Sequence, residues 1–496
     1  MPYSRAMAFR QLAGEHMLGS PPILPLGSTV AQAVALLARA TSDIVVIVDA
    51  GGIPRGVLTE QDVVRRVALR LDGHSPLDAV TSQPVRVIRA HDPMFHAIAR
   101  MRRAGLRHMP VVDDHDRLVG MLTLDGALAR INGQLVAQID NLTRPDTPAG
   151  MAEVRAAQLQ MAGQLLADQA PAPEIQALVS HINNDIYRRM TRHCIGTMED
   201  EGLGPPPREF CLIVMGSGGR RESYLNPDQD NGLIIADYPD GEHDRIDGYF
   251  LELADRLTQA MDAAGMPLCN GYVMAVNPLW RKTASQWRAQ MDYWLGKRDP
   301  AALRLSDIFF DFRGVAGERR LAAELRGYIT SRLRNNRTFV KDMFLQDEHL
   351  GVALGLFNRF ILEKADQGHR GELNLKITGT LPLVDGIRAL ALLHGVPETG
   401  TLDRIAELQD LGVLDRDEAD YLNGAFHHIS HLLLRQQLAD QGQGKAISSY
   451  VHPTNLTDRE DDMLVDALKA IRDLRDRLRS DLIPVVSTAD SYGGFS

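Results

Sequence analysis

The stretch Cys211-Leu-Ile-Val-Met-Gly-Ser-Gly-Gly-Arg-Arg-Glu-Ser-Tyr-Leu-Asn-Pro-Asp-Gln-Asp-Asn-Gly-Leu-Ile-Ile-Ala236 decides the fold of the central part of this chain of 496 residues. It contains two apolar runs, at 212–215 and 233–236, whose length is typical of buried strands. Between the runs lie a Gly-Ser-Gly-Gly turn, two arginines, a glutamate and an Asp-Gln-Asp-Asn alternation. Each feature alone is common, but this order between two strand-like runs indicates a functional site.

Asp228 and Asp230 are the candidate metal ligands and the candidate catalytic residues. Residues two apart on a strand point to the same face, so the two carboxylates converge if they lie where a strand begins. Carboxylates held so close repel each other unless a cation lies between them. Mg²⁺ prefers a few carboxylates together with substrate phosphates. We therefore expect these two residues to hold a magnesium ion.

Gly216, Ser217, Arg220 and Arg221 are the candidate nucleotide-binding residues of the same stretch. Glycine lacks a Cβ atom, so backbone N–H groups can approach a phosphate closely. A helix that begins near Ser217 would add a favourable field for an anion, and arginines offer forked donors to phosphate oxygens. The stretch thus predicts a nucleoside triphosphate–magnesium site; the alternative is a structural turn followed by solvated carboxylates.

The Gly216-Ser217 pair, the Gly-Arg-x-Glu motif that ends at Glu222, and the Asp228-x-Asp230 pair resemble the nucleotidyltransferase fold of the DNA polymerase β superfamily. Within it, the chain is most similar to the N-terminal domain of bacterial uridylyltransferases that modify the signalling protein PII, and to nucleotidyltransferases that carry CBS domains in front. Segments 267–280 and 307–313 share the second likeness. The resemblance implies transfer of a nucleoside monophosphate, with UTP as a candidate donor and a tyrosine of a PII-like protein as a candidate acceptor.

One departure from this superfamily concerns the third carboxylate that polymerase-β-type enzymes carry on a later strand. We expect a strand at 269–276, but Asn270 and Asn277 stand there instead of an acid. Asp307 and Asp311 remain as candidates for the third ligand. If neither serves, the alternative is a regulatory protein that binds nucleotide without turning it over.

Residues 17–131 contain an internal repeat of helix, strand, strand and helix that resembles a tandem pair of CBS domains, modules that often bind adenine nucleotides. The ligand signature of that family is Gly, two apolar residues, Thr or Ser, two variable residues and Asp. Gly56, Thr59 and Asp62 match it; Gly120 and Thr123 match it in part, because Gly126 stands where the acid should be. The candidate nucleotide-binding residues of the pair are therefore Thr59, Asp62 and Thr123. Thr59 and Asp62 also suit a helix cap and a first-turn acid, which is the structural alternative.

The fold class expected is a multidomain α/β protein with four segments. They are a tandem α+β CBS pair at 17–131, a helical linker at 150–204, a small mixed-sheet nucleotidyltransferase domain at 205–317, and a helical bundle at 318–485. In the resembling family, such a bundle is a substrate-binding domain.

Composition restricts the function classes further. The net charge of −10 argues against a general nucleic-acid-binding protein. The three cysteines are scattered without metal-ligand spacing, which favours a reducing cytoplasm. There is no signal-like N-terminus and no apolar run near the ~20 residues that a bilayer requires, so we expect a cytoplasmic protein without a membrane segment. The CBS pair makes a homodimer the expected assembly.

Overall fold

The computed structural model describes residues 11–39, 43–67, 71–77, 81, 85–128, 144–298, 300–346 and 351–483. The chain divides into two compact units. The first comprises Met1–Pro145 and Ala167–Gln169, and the second comprises Asp146–Leu166 and Ala170–Ser496. Within the described ranges, no helix combines the length and the hydropathy that crossing a bilayer requires.

The first unit contains two three-stranded sheets of the same topology. In each, the first strand pairs parallel with the second, and the second pairs antiparallel with the third. The strands are β1 (Ile23–Pro25), β2 (Ile44–Val48), β3 (Pro54–Thr59), β4 (Ile88–Arg89), β5 (His108–Val112) and β6 (Leu118–Thr123). The helices are α1 (Ala13–His16), α2 (Val30–Leu37), α3 (Glu60–Asp62), α4 (Met94–Arg103) and α5 (Leu124–Leu128). The shared topology confirms the internal repeat.

A four-stranded mixed sheet lies at the centre of the second unit. Its strands are β7 (Phe210–Val214), β8 (Asn231–Ile235), β9 (Arg281–Thr283) and β10 (Arg313–Gly317), in the order β10-β7-β8-β9. β10 and β8 run antiparallel to β7, and β9 runs parallel to β8. Every residue of β7 and β8 is buried, as expected for continuous apolar runs in central strands. The prediction of a small mixed sheet is confirmed.

Helices surround this sheet and make up most of the chain that follows it. Before and within the sheet region they are α6 (Pro148–Ala167), α7 (Ala172–Asp200), α8 (Gly216–Arg220), α9 (His243–Ala263), α10 (Ala284–Lys297) and α11 (Pro300–Phe309). After it come α12 (Arg319–Leu333), α13 (Arg337–Gln346), α14 (Leu381–His394), α15 (Thr401–Asp410), α16 (Arg416–Gly442) and α17 (Asp458–Leu482), with the short pair β11 (Leu373–Asn374) and β12 (Tyr450–Val451). The helical C-terminal region is therefore confirmed.

The sheet and the C-terminal helices share one continuous hydrophobic core. It extends from Ile213 and Ile234 on the central strands to Leu390, Phe426 and Leu468 on the C-terminal helices. The segment interpreted as a linker forms two helices, α6 and α7, that belong to this same unit apart from the last residue of α6. The residues expected to form three segments thus belong to one compact unit, apart from residues 167–169.

Two segments differ from the secondary structure that their apolar content predicts. Residues 269–276, expected to form a strand, are a loop in which Tyr272 has φ of 58°. Within the helical bundle expected at 318–485, the described residues from 351 to 372 contain no α-helix. Phe357 and Asn358 both have φ of 58° there. Left-handed backbone conformations of this kind cannot continue either a strand or an α-helix.

Candidate functional site

The Gly-Ser turn and the acidic pair are adjacent in space because their strands are neighbours. β7 ends at Val214, and the backbone N–H of Met215 donates to the carbonyl oxygen of Asp230 over 2.9 Å. Gly216 has φ of 55°, and a Cβ atom there would lie 3.1 Å from Oδ2 of Asp230. A glycine suits this position because it tolerates the positive φ and because it has no Cβ atom to crowd the carboxylate. The main chain of residue 216 therefore lies directly beside Asp230.

The two acids converge as their spacing predicts. One ligand atom each from Asp228, Asp230 and Cys269 lies within 4.8 Å of the others. Asp228 is exposed, Asp230 is partly buried and Cys269 is buried. Within the described ranges, this group adds a thiol to the acidic pair and contains no third carboxylate.

Gln229 and Asn231, which alternate with the two acids, hold this segment in place through hydrogen bonds to the protein interior. The amide of Gln229 is buried and donates to the carbonyl oxygen of Met266 over 2.8 Å. Asn231 accepts from the N–H of Ala275 over 3.0 Å and donates to the hydroxyl of Tyr187 over 3.5 Å. The Asp-Gln-Asp-Asn alternation therefore places amides in the interior and carboxylates at the site, as side-chain alternation along an extended chain requires.

The environment of Asp230 favours a cation. Burial, followed by the negative charge of Asp228, raises the pKa of Asp230 to about 6. The Cys269 thiol and the charges of Lys376 and Arg220 act in the opposite direction. Lys376 is exposed and begins the π-helical turn Lys376–Thr380, which precedes α14. The charge of Lys376, in the C-terminal region, thus partly offsets the rise in the pKa of Asp230.

Arg220, expected to contact phosphate, is instead part of a buried ion-pair network. Its guanidinium donates to Glu222 over 2.6 Å and to Asp311 over 2.7 Å. Asp311 also pairs with Arg388 and Arg404, at 2.7 and 2.8 Å. The donors of Arg220 are directed into the protein, so the structure gives it the role of holding α8 in position.

The two candidates for a third metal ligand both face arginines. Burial alone would raise the pKa of Asp311, but the charges of Arg388, Arg404 and Arg220 hold it well below its usual range. Asp307 pairs with Arg388 at 2.8 Å. Neither belongs to the ligand group of Asp228 and Asp230. A carboxylate that neutralises buried arginines has no free charge for a metal ion, so these residues hold the fold together.

The remaining predicted residues of the stretch lie at the edge of this arrangement. Ser217 is partly buried in the first turn of α8, and its carbonyl oxygen accepts from the N–H of Glu222 over 2.8 Å. Arg221 ends α8 with φ of 65° and pairs with Asp403 at 2.8 Å. Both partners of that pair are partly exposed, with 38% and 44% of their side-chain surface accessible. An exposed pair of this kind exchanges partners at little cost.

Three contributors to the site were not predicted as site residues. Cys269 belongs to the ligand group, Tyr187 supports Asn231, and Lys376 interacts with Asp230. They lie 39, 43 and 146 residues from Asp230, the differences between 230 and 269, 187 and 376. No local spacing pattern joins residues so far apart.

In the first unit, the predicted nucleotide-binding residues form helix caps. The hydroxyl of Thr59 accepts from the N–H of Asp62 over 3.1 Å and donates to its carboxylate over 2.8 Å. Asp62 also pairs with Arg66 at 3.3 Å. The hydroxyl of Thr123 accepts from the N–H of Gly126 over 3.3 Å. These contacts match the structural alternative, and ligand binding by the three residues stays a prediction.

A mixed sheet whose Gly-Ser turn faces two convergent carboxylates defines a nucleotidyltransferase-type protein. Family models support this class along most of the chain. Residues 156–301 match "Putative nucleotidyltransferase DUF294", residues 337–482 match "Putative nucleotidyltransferase substrate binding domain", and residues 13–69 and 77–133 each match "CBS domain". The chain belongs to the DUF294 family, with a CBS pair in front of the family's two matched domains.

Individual relatives match shorter stretches. An uncharacterized protein of Methanopyrus kandleri is 33% identical over 100 residues, which are 19% of this chain and 50% of that protein. The meiotically up-regulated gene 70 protein of Schizosaccharomyces pombe is 32% identical over 111 residues, 21% of this chain and 14% of that protein. The chain thus spans half or less of the length of these curated relatives. A CBS domain protein from Pyrobaculum aerophilum, solved in complex with AMP, is 26% identical over 26% of this chain and 98% of its own, with a TM-score of 0.24.

Proposed function

We propose that this protein is an enzyme that transfers a nucleoside monophosphate from a nucleoside triphosphate–magnesium complex to an acceptor, with release of pyrophosphate. The observation that carries the proposal is the convergence of Asp228 and Asp230 beside the left-handed Gly216. This arrangement would combine a cation site with the backbone of the partly buried Gly216–Ser217 turn at one end of the sheet.

The donor atoms fit magnesium. Asp228 and Asp230 supply hard oxygen ligands, and the exposure of Asp228 leaves room for water and phosphate oxygens. The raised pKa of Asp230 also favours a bound cation. A cation would offset both the cost of burying the charged carboxylate and its repulsion by Asp228. A bound magnesium ion would neutralise charge on the triphosphate.

The chain itself would bind and orient the donor. The backbone of Gly216 and Ser217 would hold the β- and γ-phosphates, and Lys376 would stabilise negative charge on the departing pyrophosphate. Catalysis of this kind depends on positioning and on electrostatic stabilisation. Lys376 lies within the matched substrate-binding domain, which would then act on the donor as well as on the acceptor.

The identity of donor and acceptor follows only from the family resemblance. By that resemblance, UTP is the donor and a tyrosine of a PII-like signalling protein is the acceptor. The CBS pair would bind an adenine nucleotide through Thr59, Asp62 and Thr123, and so would bias the transferase between two activity states. A homodimer is the proposed assembly.

A second candidate function is supported by the missing carboxylate. Because the described ligand group holds Cys269 and no third acid, a two-metal mechanism lacks one of its usual ligands. The protein would then bind nucleotide tightly and signal through a partner without turnover.

Pyrophosphate release from each of the four nucleoside triphosphates tests the two functions. Purified protein is assayed with Mg²⁺ and desalted cell lysate as the source of acceptor. Release with one donor, lost when Asp228→Asn and Asp230→Asn are combined and retained in Asp262→Asn, supports the transferase. Asp262 is a suitable control because it is exposed near the end of α9. Magnesium-dependent binding without release from any donor rejects the transferase in favour of the second function.

A further inference from the structure

Cys269 stands where a third ligand would complete the carboxylate pair. Its sulfur and one oxygen from each of Asp228 and Asp230 lie within 4.8 Å of one another. Cys269 is only 6% exposed, and the neighbouring N–H of Tyr272 donates to its carbonyl oxygen over 3.0 Å. The N–H of Gln229 donates to the carbonyl oxygen of Pro267 over 3.1 Å. The loop that carries the thiol is therefore tied to the strand entry that carries the acids.

The chemistry of this donor set differs from that of three carboxylates. Magnesium selects oxygen donors, whereas a thiolate selects softer ions such as Zn²⁺, Co²⁺ and Cd²⁺. Zinc bonds of about 2.0–2.3 Å put neighbouring ligand atoms on the order of 3.5 Å apart in a tetrahedral site. The three donors lie within 4.8 Å of one another, so binding of zinc requires that their side chains move closer together.

We propose that Asp228, Asp230 and Cys269 form a three-ligand site for a thiophilic divalent cation of the zinc class. Three protein ligands leave a fourth tetrahedral position open, as in catalytic zinc sites. Because Asp228 is exposed, water or a phosphate oxygen could reach that position. A cation bound in this way occupies both carboxylates and excludes magnesium from them. Zinc-class ions would therefore inhibit the proposed transfer of nucleoside monophosphate. The inference shares with the proposed function the assignment of Asp228 and Asp230 as metal ligands.

Cobalt absorption tests the proposal without any assay of activity. Titration of the reduced full-length protein with Co²⁺ should produce a near-ultraviolet thiolate-to-metal charge-transfer band. The band should persist in Cys194→Ala, which removes another buried free cysteine, and disappear in Cys269→Ser. Loss of a direct ligand should weaken Co²⁺ binding by at least the ~10-fold that loss of outer-shell partners causes. The near-isosteric serine limits damage to the fold, and thermal unfolding of the variant verifies it.

Absence of the band in the wild-type protein, or its persistence in Cys269→Ser, overturns the proposal. If Cys269→Ser does not fold, the test uses the wild-type protein and Asp228→Asn instead. The proposal then requires the charge-transfer band in the wild-type protein and a markedly weaker band in Asp228→Asn. The outcomes for the two proposals are separable. A thiolate band without nucleotide binding would leave the metal site standing and reject the transferase, whereas magnesium-dependent transfer without a thiolate band would do the reverse.

Discussion

Gly219 lies so close to the main chain of Asp311 that a Cβ atom at position 219 would come within 1.7 Å of the Asp311 carbonyl oxygen. A further contact supports the same approach, since the hydroxyl of Thr399 donates to the carbonyl oxygen of Gly219 over 3.0 Å. The Gly-Arg-x-Glu motif therefore allows the chain at Gly219 to pack closely against the main chain at Asp311. Its glycine admits the chain at Asp311, while Arg220 and Glu222 pair beside it.

Gly219→Ala should displace α8 and with it the Gly216–Ser217 turn. We expect the free energy of unfolding to fall by at least the ~1–3 kcal/mol typical of overpacking, together with loss of magnesium-dependent nucleotide binding. Urea denaturation and nucleotide titration measure the two effects. Gly218→Ala is the matched control, because its Cβ would meet Val214 at an ordinary 3.9 Å. Equal stability of the two variants would contradict this explanation of the motif.

Asp311→Asn should destabilise the protein strongly, because it leaves Arg220, Arg388 and Arg404 without their shared counterion. Breaking a buried ion pair costs about 3–5 kcal/mol. The folded-state pKa of Asp311 lies below its unfolded value, so its stabilisation is present above pH ~4 and is lost as the pH falls further.

Chemical denaturation of Asp292→Asn provides the comparison for Asp311→Asn. Asp292 pairs with Arg332 at 2.8 Å, with 45% and 51% of the two side chains exposed. An exposed pair contributes ~0–1 kcal/mol. A cost at Asp311 no larger than at Asp292 would show that the network does not hold the unit together.

Asp230→Asn should stabilise the metal-free protein at pH 7. The pKa of Asp230 is raised to about 6 in the folded state, so folding costs free energy wherever the carboxylate is ionised. The stability of the wild-type protein should therefore rise as the pH falls from about 7 to about 4, by on the order of 1–3 kcal/mol. Melting temperatures at pH 7.5 and 5.5, each with and without Mg²⁺, measure this effect. Magnesium should stabilise the wild-type protein less at pH 5.5 than at pH 7.5, and it should not stabilise Asp230→Asn. A melting temperature of metal-free Asp230→Asn below that of the metal-free wild type at pH 7.5 would refute the prediction.

Lys376→Gln should weaken binding of the nucleoside triphosphate–magnesium complex by roughly tenfold, since it removes one charge-assisted contact worth ~1–2 kcal/mol. The fold should be unaffected because Lys376 is exposed. Isothermal titration calorimetry with the nucleoside triphosphate and with the monophosphate measures the two affinities. The affinity for the monophosphate should fall less than the affinity for the triphosphate. Lys469→Gln, at a partly exposed lysine of α17 that pairs with Asp466 at 3.0 Å, should bind as the wild type does. Equal affinities for the two variants would remove Lys376 from the site.

AMP should raise the melting temperature of the wild-type protein, as any ligand of the folded state does. Asp62→Asn should abolish the increase, because it removes the carboxylate proposed to bind the adenine nucleotide while keeping the oxygen that accepts from the N–H of Thr59 at the start of α3. Thr123→Val should reduce the increase less than Asp62→Asn does, because the second repeat has Gly126 where the signature has an acid. Differential scanning fluorimetry over a range of AMP concentrations provides the measurement. An unchanged response in Asp62→Asn would exclude the first repeat as the AMP site.

Much of the fold was predictable because it depends on local pattern. The runs at 212–215 and 233–236 became central strands, and the repeat in the N-terminal unit became two sheets of equal topology. The pairing of Asp228 with Asp230 followed from alternation along an extended chain. These features depend on neighbours in sequence, so the sequence contains the information that specifies them.

The sequence by itself determined the strand–turn–strand unit, the convergent acids and the CBS repeat, because steric alternation and burial act over a few residues. The tertiary structure alone decided that Arg220 turns inward to Asp311, that Cys269 joins the acids, and that the charge of Lys376 lowers the pKa of Asp230. The physical reason is that an arginine or a thiol has no fixed partner until distant segments pack. The same guanidinium that could bind phosphate in solvent pairs with a buried carboxylate once a common core encloses both.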